Sequence, residues 1–300
     1  MTGAHRSGTG WVGSMIAASP FPPVAYLWEP FSVLHRPGIL DVRFEHWFPY
    51  VCPENEGPYL GPVGDMLAFR YRSGAELRSA RTPKDLGRFL RDQARFRTFR
   101  REGARPLLKD PIAVMSAPWL AHTFDMEVVV LVRHPAAFVN SVKARALRHP
   151  FSDFLAQPLL MRDLLADFEE EVRAFSATER SLLDQGILLW RMIHQVLVGY
   201  RERHPGWTYL RLEDIARDPL RRFEELYARL GQTMNREARA TIEAHSDASN
   251  PSEVSDPAAL QRDSLSSIST WKARLTDDEV HAIRNAVEPI SKEFYADEDW

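Results

Sequence analysis

Five consecutive apolar residues, Val128-Val129-Val130-Leu131-Val132, limit the fold more than any other stretch of the chain. Four of them are β-branched and none offers a polar face to water. The run therefore reads as a strand buried on both faces of a parallel sheet, and the fold class as α/β. It ends in Arg133-His134-Pro135, and Phe138, Val142 and Ala146 beyond it fall at helical spacing. A magnesium-dependent phosphoryl-transfer enzyme often places an acidic residue at such a strand end. This chain places a cation there.

A second strand-end signature stands at the start, where Gly3-Ala4-His5-Arg6-Ser7-Gly8-Thr9-Gly10-Trp11 runs into Val12-Gly13-Ser14-Met15-Ile16-Ala17-Ala18. Val12, Met15 and Ile16 share one helical face, and Ser19-Pro20 stops the helix. Glycines and hydroxyls leading into a helix describe a loop whose backbone N–H groups cradle an anion. A nucleoside triphosphatase loop needs G-x-x-x-x-G-K-[ST]. Here the basic residue, Arg6, precedes the hydroxyl-glycine-hydroxyl turn, and the closing Lys-Ser/Thr pair is absent. Met1-Thr2-Gly3 leaves room for only a very short feeding strand, unless the start codon has been placed late.

Arg6-Ser7-Gly8-Thr9-Gly10-Trp11 resembles the 5′-phosphosulfate loop of sulfotransferases, enzymes that take a sulfuryl group from 3′-phosphoadenosine 5′-phosphosulfate (PAPS). Gly10 stands where relatives commonly have a hydroxyl. Arg133-His134-Pro135-Ala136-Ala137-Phe138-Val139-Asn140-Ser141 resembles that family's 3′-phosphate motif, Arg-Asp-Pro followed by Ser eight positions after the Arg, with His134 replacing Asp. The chemistry suits the resemblance. A guanidinium grips phosphate oxygens bidentately, and a hydroxyl two turns along the next helix adds a bond. Trp28-Glu29-Pro30, after the candidate strand Val24-Ala25-Tyr26-Leu27, resembles the carbohydrate sulfotransferase branch, in which that glutamate is a candidate base. His35, with a reference pKa near 6.5, is the other candidate. The resemblance also makes Lys109, in Lys109-Asp110-Pro111, a lesser site residue.

The same resemblance covers Arg211-Leu212-Glu213-Asp214-Ile215 before Asp218-Pro219, where Glu213 or Asp214 is expected to cap and brace. It also covers a late loop, Arg262-Asp263-Ser264 and Ser269-Thr270-Trp271-Lys272. It implies a P-loop-like three-layer fold with a central parallel sheet flanked by helices. One domain over residues 1–300 is expected, with 31–105 as an acceptor-side insertion or lid. The implied catalytic residues are Arg6, Glu29 and His35. The implied co-substrate contacts are Arg6, Ser7, Gly8, Thr9, Gly10, Trp11, Arg133, Ser141, Arg211, Ser264, Trp271 and Lys272, with PAPS as co-substrate, no metal, and a hydroxyl-bearing acceptor. Two other functions would use the same loop: a non-catalytic binder of 3′-phosphoadenosine nucleotides, and a P-loop nucleotide kinase.

The segment 31–69 holds Phe31, His35, Arg36, His46, Trp47, Phe48, Tyr50 and Tyr59 without clear periodicity, as binding loops often do. Pro83 to Arg101 is helical in pattern. Between Arg70 and Arg105 twelve Lys/Arg face four Asp/Glu, usually the mark of a solvated face. Ile112-Ala113-Val114-Met115 is a candidate buried strand. Residues 151–203 read as helices, with His194 as a satisfied core or surface histidine. Ser246 to Ser255 is a polar loop candidate.

With 300 residues, 44% apolar, the chain can bury a sizeable core. Its net charge of −3 argues against general nucleic-acid binding. One cysteine, Cys52, excludes an intramolecular disulfide framework. No leading apolar signal and no run near the roughly 18 residues of a span is present. The expectation is a cytoplasmic protein without stable membrane insertion.

Overall fold

The buried run becomes strand β4, Val129–Val132, in a computed structural model that describes residues 1–251, 261 and 263–300. β4 is covered on both faces, as its composition requires. Val130 and Val132 enter one apolar cluster and Val129 and Leu131 another. β1 (Thr2–Gly3) and β5 (Thr208–Arg211) flank it in parallel, with Thr2 opposite Val130 and Thr208 opposite Val129. β2 (Val24–Trp28) and β3 (Arg105–Lys109) form a second parallel pair.

Met1 joins the two ladders. Its amino group donates to the Leu108 carbonyl at 2.8 Å, and the Asp110 N–H donates to the Met1 carbonyl at 3.0 Å. The spatial order is thus β2-β3-β1-β4-β5, with the two-residue β1 at its centre. Gly3 is obligatory there: its φ is 138°, and a Cβ would lie 2.2 Å from the Leu131 carbonyl oxygen.

Helices cover both faces of this parallel sheet. On one side α1 (Thr9–Ala17) buries Val12, Met15 and Ile16 with Phe223, Leu226 and Tyr227 of the helix Pro219–Arg229. On the other, the helices Pro135–Ala144, Leu182–Arg203 and Asp277–Ser291 pack together. A third cluster joins Ala25, Leu27 and Leu108 of β2 and β3 to Phe31, Leu40, Phe44, Val63, Met66 and Phe96.

Two local expectations change. Ile112–Ser116 is a 3₁₀ helix and the strand lies earlier, at Arg105–Lys109, because Pro111 breaks the extended run and the Asp110 carboxylate accepts the Ile112 and Ala113 N–H groups. The segment 31–69, expected to be irregular, contains a helix at Gly57–Leu67. Its three glycines and internal Pro62 hide the helical signal, and burial of Val63 and Met66 supports the helix from outside. Of the polar loop candidate, Ser246 closes the helix Arg236–Ser246, and its residues from Ser252 onward, like Arg262, lie outside the described residues.

Candidate active site

The loop after β1 turns through two left-handed residues, Arg6 (φ 65°) and Gly8 (φ 82°), and Gly8 caps α1. Both the backbone angle and the space demand glycine at 8, since a Cβ would stand 2.5 Å from Leu212 Cδ1. The first turn of α1 has no side-chain cap and no acidic residue, so its N–H groups are not taken up by either. Ser7 is fully buried and its hydroxyl has no hydrogen-bond partner among the described residues. Uncapped N–H groups beside an orphaned buried hydroxyl suit an anion.

The two anion motifs, more than 120 residues apart in sequence, meet here. Arg6 Nε donates to Ser141 Oγ at 3.1 Å, and Arg133 donates to the Arg6 carbonyl at 2.6 Å. The Arg133 carbonyl in turn accepts the Trp190 indole N–H at 3.0 Å. Arg6, Arg133 and Ser141 therefore form one polar cluster over the end of β4. Thr9 is buried at the first turn of α1, while Trp11 packs edge-on against Phe223 at 5.6 Å.

Glu29 lies just beyond β2 with a left-handed backbone, φ 44°. Its N–H donates to the Lys109 carbonyl at 2.9 Å, and its carboxylate is ion-paired with the Lys109 ammonium. The lysine side chain is only 4% exposed and the glutamate side chain 21%. Lys109 crosses α1 at Gly13, where a Cβ would meet its Cγ at 3.1 Å, and its ammonium lies 5.7 Å from the Trp28 ring centroid. β2 is tied to the same helix by Tyr26, which hydrogen-bonds Ser14 and whose hydroxyl is pushed up to about 12 by burial.

Asp110 pins this corner and was not singled out from sequence. Fully buried, it accepts the Phe31 N–H at 2.7 Å and the Ile112 N–H at 3.0 Å, while its carbonyl accepts the Thr2 hydroxyl at 2.9 Å. Burial raises its carboxyl to about 7. The available signal was the Asp-Pro turn at Lys109-Asp110-Pro111, since Asp before such a turn characteristically accepts the next N–H groups.

His35 does not join the cluster. It is exposed on the loop between Phe31 and Leu40, and no hydrogen bond or ion pair joins its side chain to Glu29 among the described residues. Four other sequence candidates are engaged elsewhere. Arg211 pairs with Asp299 and lies 4.5 Å from the Tyr295 ring centroid. Ser264 donates to the Ala216 carbonyl at 3.0 Å, and Lys272 to the Trp300 carbonyl at 2.9 Å. Trp271 stacks on His134 at 5.0 Å.

His134 is also edge-on to Tyr295 and Trp300, and burial drops its pKa to about 3. Glu213, one of the two residues the resemblance implied for bracing, accepts the His134 N–H at 2.9 Å and the Tyr295 hydroxyl at 3.0 Å. The late loop reaches the cluster through Ser267, whose carbonyl accepts Arg133 at 3.5 Å. Among the described residues no group of three or more His, Cys, Asp or Glu is arranged to hold a metal. No described helix is long and apolar enough to cross a membrane.

No protein-family model matches this chain, and no curated protein matches it. Two solved structures are similar in overall fold. The sulfotransferase domain from the curacin biosynthetic pathway shares 13% identity at a TM-score of 0.46, over 96% of this chain and 95% of that one. The sulfotransferase domain from the Synechococcus PCC 7002 olefin synthase shares 15% at 0.44, over 99% and 93%.

Proposed function

We propose that this chain is a PAPS-dependent sulfotransferase acting on a hydroxyl-bearing acceptor such as a glycan, a lipid or another alcohol. The observation that carries the proposal is the meeting of Arg6, Ser141 and Arg133 at the uncapped N-terminus of α1. Two anion-binding devices, one of N–H groups and one of guanidinium and hydroxyl, suit a nucleotide with phosphate on both its 5′ and 3′ sides.

The residues fit such a co-substrate. Ser7 to Trp11 would hold the 5′-phosphate, answering the orphaned Ser7 hydroxyl, and Arg133 with Ser141 the 3′-phosphate. Arg211, Ser264, Trp271 and Lys272 enter this proposal as the frame beneath Arg133 and His134. When bound, PAPS supplies an electrophilic sulfuryl group. Arg6 stabilises the negative charge that grows on the departing oxygen; as a guanidinium it stays charged and acts electrostatically. Glu29 takes the proton of the attacking hydroxyl, with Lys109 fixing the carboxylate. The segment 31–105 forms the acceptor side of a single domain, and His35 stands at its exposed rim.

Incubating the purified protein with PAPS and a panel of alcohols, and reading the products by mass spectrometry for one added sulfuryl group, tests the proposal. Transfer that survives removal of divalent metal is expected. Magnesium-dependent phosphoryl transfer from ATP would replace it with the kinase reading, and tight nucleotide binding without transfer to any acceptor would favour the non-catalytic binder.

A further inference from the structure

The cation-rich stretch seen in the sequence forms a surface of unusual make-up. On the helix Pro83–Arg101, Phe89, Asp92 and Phe96 are buried. A step of roughly 100° per residue places Leu86, Leu90, Ala94, Arg97 and Arg101 on the side turned away from them, and all five are exposed. Leu86 is 48% and Leu90 56% exposed, and Leu77, on the adjoining helix Ser73–Ser79, is 48% exposed. Leu86 and Leu90 thus stand in water one turn apart on the outward side of their helix, and Leu77 is exposed on the adjoining one.

The charges around them are unbalanced in space as well as in sequence. Of the four acidic residues between 70 and 105, Glu76 and Asp92 are buried, Asp85 is consumed by the Thr82 cap and Arg88, and only Glu102 is exposed, where it pairs with Arg101. Among the described residues Arg78, Arg81, Lys84, Arg95, Arg97 and Arg100 have no carboxylate within ion-pair reach; Arg95 instead donates to the Tyr26 carbonyl at 2.8 Å. A solvated helix face ordinarily interleaves both signs.

We propose that this surface docks the chain onto an anionic lipid bilayer. The Arg97, Arg100 and Arg101 guanidinium groups meet the headgroup phosphates, and Leu86 and Leu90 enter the boundary of the acyl chains. The shape favours a bilayer over an acidic protein. The ridge is a single convex helix about 28 Å long, and a bilayer accepts a convex ridge without a matching contour, whereas a stable protein interface needs about 800 Å² per partner with good complementarity. The inference does not depend on the sulfuryl-transfer reading.

Co-sedimentation with vesicles of phosphatidylcholine, with and without phosphatidylserine, tests it. The chain should bind only the phosphatidylserine vesicles and should dissociate as salt rises. At about fivefold per cation, the triple variant Arg97→Gln/Arg100→Gln/Arg101→Gln should bind on the order of 10²-fold more weakly. Leu86→Ser/Leu90→Ser should also weaken binding, with the salt dependence retained. All five residues are exposed, so both variants should keep the parent melting temperature. Equal binding to the two vesicle types, or parental binding by the triple variant, overturns the proposal. So does capture by soluble polyglutamate that matches the vesicles and ignores the leucine changes, which would assign the surface to an acidic protein.

Discussion

The Glu29–Lys109 pair is unequally buried, and the inequality predicts unequal consequences for its two partners. The lysine side chain is 4% exposed and the glutamate side chain 21%. Removing the carboxylate by Glu29→Gln leaves a buried ammonium with a neutral amide and the Trp28 ring for company. Breaking a fully buried pair costs about 3–5 kcal/mol; an amide oxygen still able to accept from the ammonium reduces this to about 2–3 kcal/mol. Lys109→Met leaves a carboxylate that water can reach and replaces the lysine stem with an apolar chain of similar volume. It should cost about 1 kcal/mol or less. Urea denaturation of the two single variants and the double variant measures this directly. The double variant should lie within about 1 kcal/mol of Lys109→Met, because the cost of Glu29→Gln arises from the orphaned ammonium. In turnover the order also holds: Glu29→Gln should fall by about 10²-fold or more with nucleotide affinity kept. A Lys109→Met protein less stable than Glu29→Gln would refute the burial argument, and undiminished turnover in Glu29→Gln would remove that residue as the base.

Three further outcomes follow from particular contacts. Arg133→Ala should abolish most of the preference for 3′-phosphoadenosine 5′-phosphate over AMP in calorimetry, a preference worth about 1–3 kcal/mol per polar group left unmet; equal affinities in the parent protein would defeat the 3′-phosphate assignment. Gly8→Ala should destabilise by about 1–2 kcal/mol from its left-handed backbone and by more from the Leu212 contact. Leu212→Ala should relieve only the second part in a double-mutant cycle, and a cost unchanged by Leu212→Ala would show that the contact is immaterial. Burial lowers His5 to about 4 and His134, His149 and His194 to about 3, so each stays neutral in the fold while the unfolded chain takes up a proton below about 6.5. Stability should therefore be full above that pH and fall as the pH drops towards about 4, at up to about 1.4 kcal/mol per unit for each histidine. Asp110, raised to about 7, and Glu213, also raised by burial, pull the other way, while the buried Met1 amino group, lowered to about 5, adds to the histidines. A stability flat from neutral pH to about pH 5 would contradict these burials.

What the sequence disclosed and what it hid divide along physical lines. The Val128–Val132 run needs no context, since five apolar residues have nowhere to go but the interior, and the strand lies within it. The Pro83–Arg101 helix was legible from the spacing of Leu86, Phe89, Leu90 and Phe96, and its start is further fixed by a capping box at Thr82 and Asp85 and a proline at the first position. The Gly57–Leu67 helix was not, because its glycines and proline argue against helix and only tertiary burial overrides them. Arg6, Arg133 and Ser141 were individually visible as motifs, and their meeting is what the fold adds. The Asp-Pro turn marked the bonds of Asp110 to the Ile112 and Ala113 N–H groups, but its bond to the Phe31 N–H, 79 residues away, leaves no mark on a sequence. His35 was the second candidate base after Glu29 in sequence; it is exposed on a loop, whereas Glu29 is held by a buried lysine.

The two residues assigned the chemistry share a property that no sequence pattern could reveal. Arg6 and Glu29 both adopt left-handed backbone conformations without being glycine, each at a cost of about 1–3 kcal/mol. Such conformations persist only where neighbours determine them, and the neighbours can be named. The Arg6 carbonyl is gripped by Arg133. The Glu29 N–H donates to the Lys109 carbonyl, and Asp110 holds Phe31 two residues further on. Arg133 therefore acts on the site twice, as a phosphate ligand in the proposed function and as the group that keeps Arg6 in place. Arg6→Ala and Arg133→Ala should then be non-additive in turnover, the double variant losing less than the product of the two single losses. Losses that multiply would mean that Arg6 keeps its position without Arg133, and would reduce Arg133 to a ligand alone.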